Sequence, residues 1–158
     1  MLGKTLEQVH NKLLSNQKTI SLAESCTGGL LSSLLTSKSG SSEYFLSGIV
    51  AYSNRSKKIL LGIPASIIVK YGSVSSNVAK LMAENIRKKT DADFGLSITG
   101  IAGPSGATKN KPVGTVFICL SKKSKNICLK FSFQGNRRDI RKKSAQQALR
   151  LLCAHLSQ

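Results

Sequence analysis

A three-layer α/β/α sandwich around a mixed sheet of about five strands is the fold that this chain of 158 residues predicts. Three observations carry the prediction. Short β-branched or aromatic runs alternate with leucine-patterned helical runs. Small-residue turns rich in Gly and Ser follow the β-like runs. The last two β-like runs are separated only by a short polar turn at Lys123-Ser124, which makes them a hairpin.

The elements follow in order. Thr5 to Ser15 reads as a first helix, with Leu6, Val9, Leu13 and Leu14 on one face. Thr19-Ile20-Ser21-Leu22 suits a strand, and a second helix is expected from Gly28 through Leu30-Leu31-Ser32-Ser33-Leu34-Leu35. Gly40-Ser41-Ser42 is a loop, and Phe45 to Tyr52 a second strand. Ser53 can cap a short helix over Asn54 to Leu61, which Gly62 and Pro64 stop. Pro64 to Lys70 offers another helical turn. Ser75 or Ser76 caps a longer helix to Lys89, with Val78, Leu81, Met82 and Ile86 as its apolar stripe. Phe94 to Thr99 is a third strand and Gly100 to Pro112 a glycine-rich loop. Val113 to Ser121 and Asn126 to Phe133 form the hairpin, and Arg137 to Leu156 the final helix.

Length and composition fit one domain over residues 1–158 with a full core. No apolar run approaches the ~20 residues that span a bilayer, and the N-terminus lacks a basic-apolar-small leader pattern. Cys26, Cys119, Cys128 and Cys153 form no CxxC pair, so neither a zinc site nor a disulfide framework is expected, and the compartment is read as cytoplasm. The hairpin puts Cys119 and Cys128 opposite each other as free thiols. Acidic residues form no cluster with metal-ligand spacing, so no metal and no cofactor is expected.

Lys and Arg number 24 against 7 Asp and Glu, a formal charge of +17. Such a balance points to a phosphate-bearing partner, either nucleic acid or a nucleotide. The basic residues are scattered, and no basic cluster is interleaved with base-stacking aromatics. Non-specific, low-salt contact with nucleic acid is therefore expected rather than a dedicated site. No membrane partner is expected, and homo-oligomerisation stays open.

In open α/β sheets, ligands sit at the carboxyl ends of the parallel strands. Three motif-rich segments follow the first three strands: Glu24 to Gly29, Tyr52 to Lys57 and Thr99 to Gly106. The only histidines, His10 and His155, lie on the first and last helices, away from these segments, which argues against a Ser-His-Asp triad. The base that remains is Lys57, one turn after Ser53. A buried lysine loses proton affinity and can serve Ser25 as a base, with Tyr52 bridging or orienting. A thiol mechanism on Cys26, with Glu24 or Lys57 as base, and a non-catalytic basic binding protein are the alternatives.

The segments Ala23 to Gly29, Gly40 to Phe45, Tyr52 to Lys57, Gly72 to Ser75, Ser97 to Pro104 and Lys111 to Val116 together resemble the CinA C-terminal domain family, the nicotinamide-nucleotide amidases. The match is colinear and covers nearly the whole chain. The resemblance implies an α/β/α fold and hydrolysis of the carboxamide of nicotinamide mononucleotide to nicotinate mononucleotide and ammonia. Its serine nucleophile matches Ser25, its tyrosine Tyr52 and its lysine Lys57. Gly28 and Gly29 are expected as oxyanion donors. Thr27, Ser42, Asn54, Thr99, Gly100 and Gly103 are expected to bind the substrate, with the loop from Thr99 to Gly106 in contact with it. Gly135-Asn136-Arg137 departs from the family's Gly-Asp-Arg pattern at Asn136. Arg137 and Arg141, one turn apart, are expected to bind the nucleotide phosphate.

Overall fold

The computed structural model describes residues 2–156. Helix α1 spans Leu2–Ser15 and buries Leu6, Val9, His10 and Leu13. It starts before Thr5 because Leu2 also packs against the core. Five strands follow: β1 (Ile20–Glu24), β2 (Phe45–Val50), β3 (Phe94–Gly100), β4 (Thr115–Ser121) and β5 (Asn126–Ser132). The other helices are α2 (Leu30–Thr36), α3 (Asn54–Leu61), α4 (Ala65–Tyr71), α5 (Ser76–Thr90) and α6 (Arg137–His155).

The sheet order is β2-β1-β3-β4-β5. Strand β1 runs parallel to both β2 and β3, while β4 and β5 are antiparallel to their neighbours. The mixed five-stranded sheet and closing hairpin are therefore those expected. Strands β1 and β4 are buried along their whole length, and β3 up to its last residue, so all three lack polar alternation. Edge strand β2 alternates between half-buried and exposed residues.

A smaller apolar cluster packs Ala79 and Ala83 against Phe117 and Cys119, and two large ones make most of the sandwich. One packs Leu6, Val9 and Leu13 of α1, Leu31 and Leu35 of α2, and Leu149 and Leu152 of α6 against Ile20, Leu22, Leu96 and Ile118. The other packs Leu61, Ile68, Val78, Met82 and Ile86 of α3, α4 and α5 under Ala23 and Ala51. Each fully buried Leu or Ile stabilises by roughly 1.5–3 kcal/mol. Helix α5 lies flush on β3 because Gly95 has no side chain: a Cβ there would stand 2.1 Å from the Ala83 carbonyl oxygen. Cys119 and Cys128 are directly paired across β4 and β5 and are free thiols. Among the described residues no helix is long and apolar enough to cross a membrane.

Parallel pairing of β2, β1 and β3 sends their carboxyl ends to one side of the sheet. The segments that follow them, starting at Ser25, Ala51 and Ile101, therefore share one edge.

Candidate active site

Ser25 is the first residue past β1. Its N–H donates to the Ile98 carbonyl at 2.9 Å, which anchors the turn to β3. The residue before it, Glu24, is buried, and its carboxylate accepts from the amides of Gly29 (3.1 Å), Leu31 (3.1 Å) and Ser32 (2.8 Å) and from Ser32 Oγ (2.7 Å). An acidic side chain from the preceding strand thus satisfies the open N–H groups of α2 and complements its dipole. This corrects two expectations. Glu24 is not available as a base, and the Gly29 amide is not available as an oxyanion donor. The Gly28 amide is also committed, to the Ser25 carbonyl at 3.0 Å. Helix α2 begins at Leu30 rather than Gly28 because both glycines adopt positive φ (59° and 90°) in the turn. Glu24→Ala, which strands the buried Leu31 amide and the half-buried amides of Gly29 and Ser32, is expected to destabilise the protein by roughly 3 kcal/mol, read from urea unfolding. Glu24→Gln, which keeps one acceptor oxygen, should cost less.

Lys57 is placed by α3. Ser53 and Ser56 form a reciprocal cap: Ser53 Oγ accepts from the Ser56 amide (3.0 Å), and Ser56 Oγ accepts from the Ser53 amide (2.9 Å). One residue later the lysine stem turns inward, and the side chain is only 2% exposed. Its Nζ lies 3.1 Å from Ser25 Oγ and donates to the Tyr52 carbonyl at 3.3 Å. None of the ion pairs among the described residues includes Lys57. Burial therefore dominates and pulls its pKa below the ordinary 10.5, with proximity to Cys26 acting weakly the other way. The arrangement is a serine hydroxyl against an amine whose proton affinity burial lowers.

Cys26 lines the same space, but burial pushes its thiol up to about 11, so it stays protonated at neutral pH. That removes the thiolate on which the alternative mechanism depends.

Ser25, Cys26, Tyr52 and Lys57 form one wall of a cleft of about 320 Å³. The segment from Thr99 to Gly103 forms another, and Ser73, Val74, Ser105, Gly106 and Arg137 complete it. The size fits a small-molecule site. Arg137, the first residue of α6, reaches across the cleft. It donates to the Gly103 carbonyl (2.8 Å) and to Tyr52 Oη (2.6 Å). The Tyr52 hydroxyl therefore meets Arg137, while its backbone carbonyl holds Lys57. A direct proton bridge between Ser25 and Lys57 through that hydroxyl is not the geometry observed.

Asn136 retains the function that an aspartate would have at the start of α6. Its side chain accepts from the Asp139 amide (3.0 Å), and Asp139 accepts from the Asn136 amide (3.1 Å). This capping box occupies the Asp139 carboxylate.

Several expected residues lie elsewhere. Arg141 is not at the cleft. Its Nη2 and Nε donate to the Thr27 carbonyl (2.7 and 3.3 Å), bracing the turn after Ser25 from behind. Thr27 itself is fully buried outside the cleft lining, and its Oγ1 has no partner among the described residues. Ser42 lies in a 3-10 turn (Ser41–Glu43) that precedes β2, hence at the opposite end of the sheet from Ser25. Asn54 opens α3 on its exposed side, beside Lys58 and Ala65. Gly28 and Gly29 also stand outside the lining. Ser105 and Gly106 belong to the loop from Thr99 to Gly106 expected at the substrate and do line the cleft, whereas Ser73 and Val74 are lining residues that the sequence reading did not place there. The signal for Ser73 was the Gly72-Ser73-Val74-Ser75 motif, which Thr99 Oγ1 ties to the cleft by donating to the Ser73 carbonyl (2.9 Å).

The family described as the CinA C-terminal domain matches residues 3–156. A CinA-like protein of Endomicrobium trichonymphae is 49% identical over 149 residues, covering 94% of this chain and 35% of its own length. A CinA-like protein of Thermotoga neapolitana is 46% identical over 159 residues, covering all of this chain and 39% of its own length. The chain thus spans little more than a third of these relatives. Among solved structures, the competence/damage inducible protein CihA of Agrobacterium tumefaciens superposes with a TM-score of 0.95 at 31% identity, covering 99% of this chain and 96% of that one. The competence damage-inducible protein A of Klebsiella pneumoniae gives 0.95 at 25% identity, covering 99% and 97%.

Proposed function

This chain belongs to the CinA C-terminal domain family, and from that premise we propose that it is an amidohydrolase acting on the carboxamide of nicotinamide mononucleotide. The observation that carries the reading is the buried Lys57 amine, without a carboxylate partner among the described residues, 3.1 Å from Ser25 Oγ inside the cleft. The substrate comes from the family resemblance. The geometry supports the reaction class, acyl transfer with serine as nucleophile.

Neutral Lys57 takes the Ser25 proton as Oγ attacks the carboxamide carbon. The tetrahedral oxyanion faces the amide of Cys26, which follows the nucleophile and lines the cleft. The C–N bond then breaks, and the lysine ammonium returns its proton to the departing ammonia. Water, deprotonated by the same amine, attacks the Ser25 ester. The carboxylate leaves and the proton goes back to Ser25. One amide and one water give one carboxylate and one ammonium. The Tyr52 carbonyl keeps the amine aimed during both halves.

Arg137 is the cleft cation suited to the nucleotide phosphate, since its present partners are a neutral carbonyl and a phenol. Nicotinamide mononucleotide is expected to exceed the riboside in kcat/KM by about tenfold to a hundredfold, the value of a charge-assisted contact. Arg137→Ala should erase most of that preference while changing the riboside rate little. An unchanged preference in Arg137→Ala would move the phosphate contact elsewhere.

The test of function is ammonia release from nicotinamide mononucleotide, with nicotinamide, asparagine and glutamine as comparison substrates. Release confined to the mononucleotide supports the reading. No amide hydrolysis, together with DNA binding that persists at ~0.3 M salt, would replace it with the binding-protein reading.

A further inference from the structure

We propose that Cys119 and Cys128 are a reversible oxidation site, at which a peroxide converts the two free thiols into a disulfide across β4 and β5.

The ladder sets the distance. Strands β4 and β5 pair in unbroken register, with Cys119 directly opposite Cys128. At one end the Lys122 N–H donates to the Lys125 carbonyl (3.0 Å), and at the other the Phe133 N–H donates to the Gly114 carbonyl (2.9 Å). Hydrogen-bonded and non-hydrogen-bonded pairs alternate along an antiparallel ladder. Cys119 lies three residues from Lys122 and five from Gly114, an odd step from both bonded ends. Cys119 and Cys128 therefore occupy a non-hydrogen-bonded position. There the Cα atoms stand about 4.5 Å apart, within the roughly 4.4–6.8 Å that a disulfide bridges. Side-chain rotation can close the bond without a shift of either strand.

The two thiols have different roles because they differ in access. Cys119 is fully buried in the cluster of Ala79, Ala83 and Phe117, and Cys128 packs half-buried at its margin, where its Sγ donates to the Ser76 carbonyl at 3.7 Å. The hydrogen bond from Cys119 holds the Cys128 thiol below its ordinary 9.0, with burial opposing and the positive charge of Lys80 assisting. The same bond, burial and Glu84 raise Cys119, against Lys80. Cys128 is thus the thiol that an oxidant meets first. Cys26 and Cys153 pack with the cluster on the opposite face of the sheet, so Cys119 is the partner at hand. The Cys128 sulfur takes a hydroxyl from hydrogen peroxide, leaving a sulfenic acid and releasing one water. The Cys119 sulfur then displaces that hydroxyl, which departs with the Cys119 proton as a second water. Two thiols and one peroxide give one disulfide and two waters, and a dithiol reductant reverses the change.

Titration of the whole chain with hydrogen peroxide tests this, with non-reducing peptide mapping to locate the bond and thermal unfolding to check that each variant is folded. One equivalent should lower the thiols titratable in denaturant from four to two. The Cys119 and Cys128 peptides should be joined within one chain, and dithiothreitol should restore all the thiols. C128S should lose thiols at least ~10-fold more slowly than the wild type, the effect of one unit of thiol pKa on the thiolate fraction. C119A should leave a sulfenic acid on Cys128 that dimedone traps. Thiol loss in C128S as fast as in the wild type would overturn the proposal. So would a bond to Cys26 or Cys153, a bond between chains, or an oxidised Cys128 that never joins Cys119.

Discussion

Lys57→Met is expected to lower kcat by at least ~100-fold, in the range of general-base removal, while the protein stays folded. Methionine keeps the length of the stem and removes the amine that lies 3.1 Å from Ser25 Oγ. Its thermal midpoint should equal or exceed that of the wild type, because a buried amine with no carboxylate partner among the described residues stabilises little. A variant both inactive and more stable is the signature of a group kept for chemistry. Lys57→Arg should not restore activity, since a guanidinium does not deprotonate near neutral pH. The pH profile follows from the same group. The neutral amine is the competent form, so kcat/KM should rise with pH through the Lys57 pKa. Burial sets that rise below the ordinary 10.5. The rising limb should vanish from the residual activity of Lys57→Met. A near wild-type kcat in Lys57→Arg would remove Lys57 from the base role.

Ser25→Ala is expected to abolish hydrolysis, whereas Cys26→Ala should keep most of it. The two side chains are neighbours in sequence and both line the cleft, yet their chemistry differs. Ser25 Oγ has a proton acceptor at 3.1 Å. The Cys26 thiol is held protonated, with a pKa pushed up to about 11 by burial. The comparison is read as kcat with nicotinamide mononucleotide, with unfolding curves confirming that both variants fold. An active Ser25→Ala beside a dead Cys26→Ala would reverse the roles.

Much of this was legible in the sequence. Short β-branched and aromatic runs placed the five strands, apolar stripes and caps placed the α-helices, and the Lys123-Ser124 turn specified the antiparallel end of the sheet. The convergence of three loops followed from parallel pairing alone. Misread features depended on where long side chains point. Glu24 reaches past Ser25 to close α2, which no local pattern announces because helix caps are sought at the cap position. Arg137 and Arg141 lie one turn apart, yet one crosses the cleft and the other braces Thr27 from behind. Spacing along a helix gives a shared face, not a shared target. Ser42 was misplaced for a topological reason: it precedes a parallel strand rather than following one.

The central claim is that the amine of Lys57 activates Ser25 to form an ester with the substrate. Acid quenching during steady-state turnover of nicotinamide mononucleotide, followed by fragment-ion mass spectrometry of the peptide that holds both residues, tests it most directly. The account predicts the nicotinate mononucleotide acyl group on Ser25. An acyl group on Cys26 would contradict it.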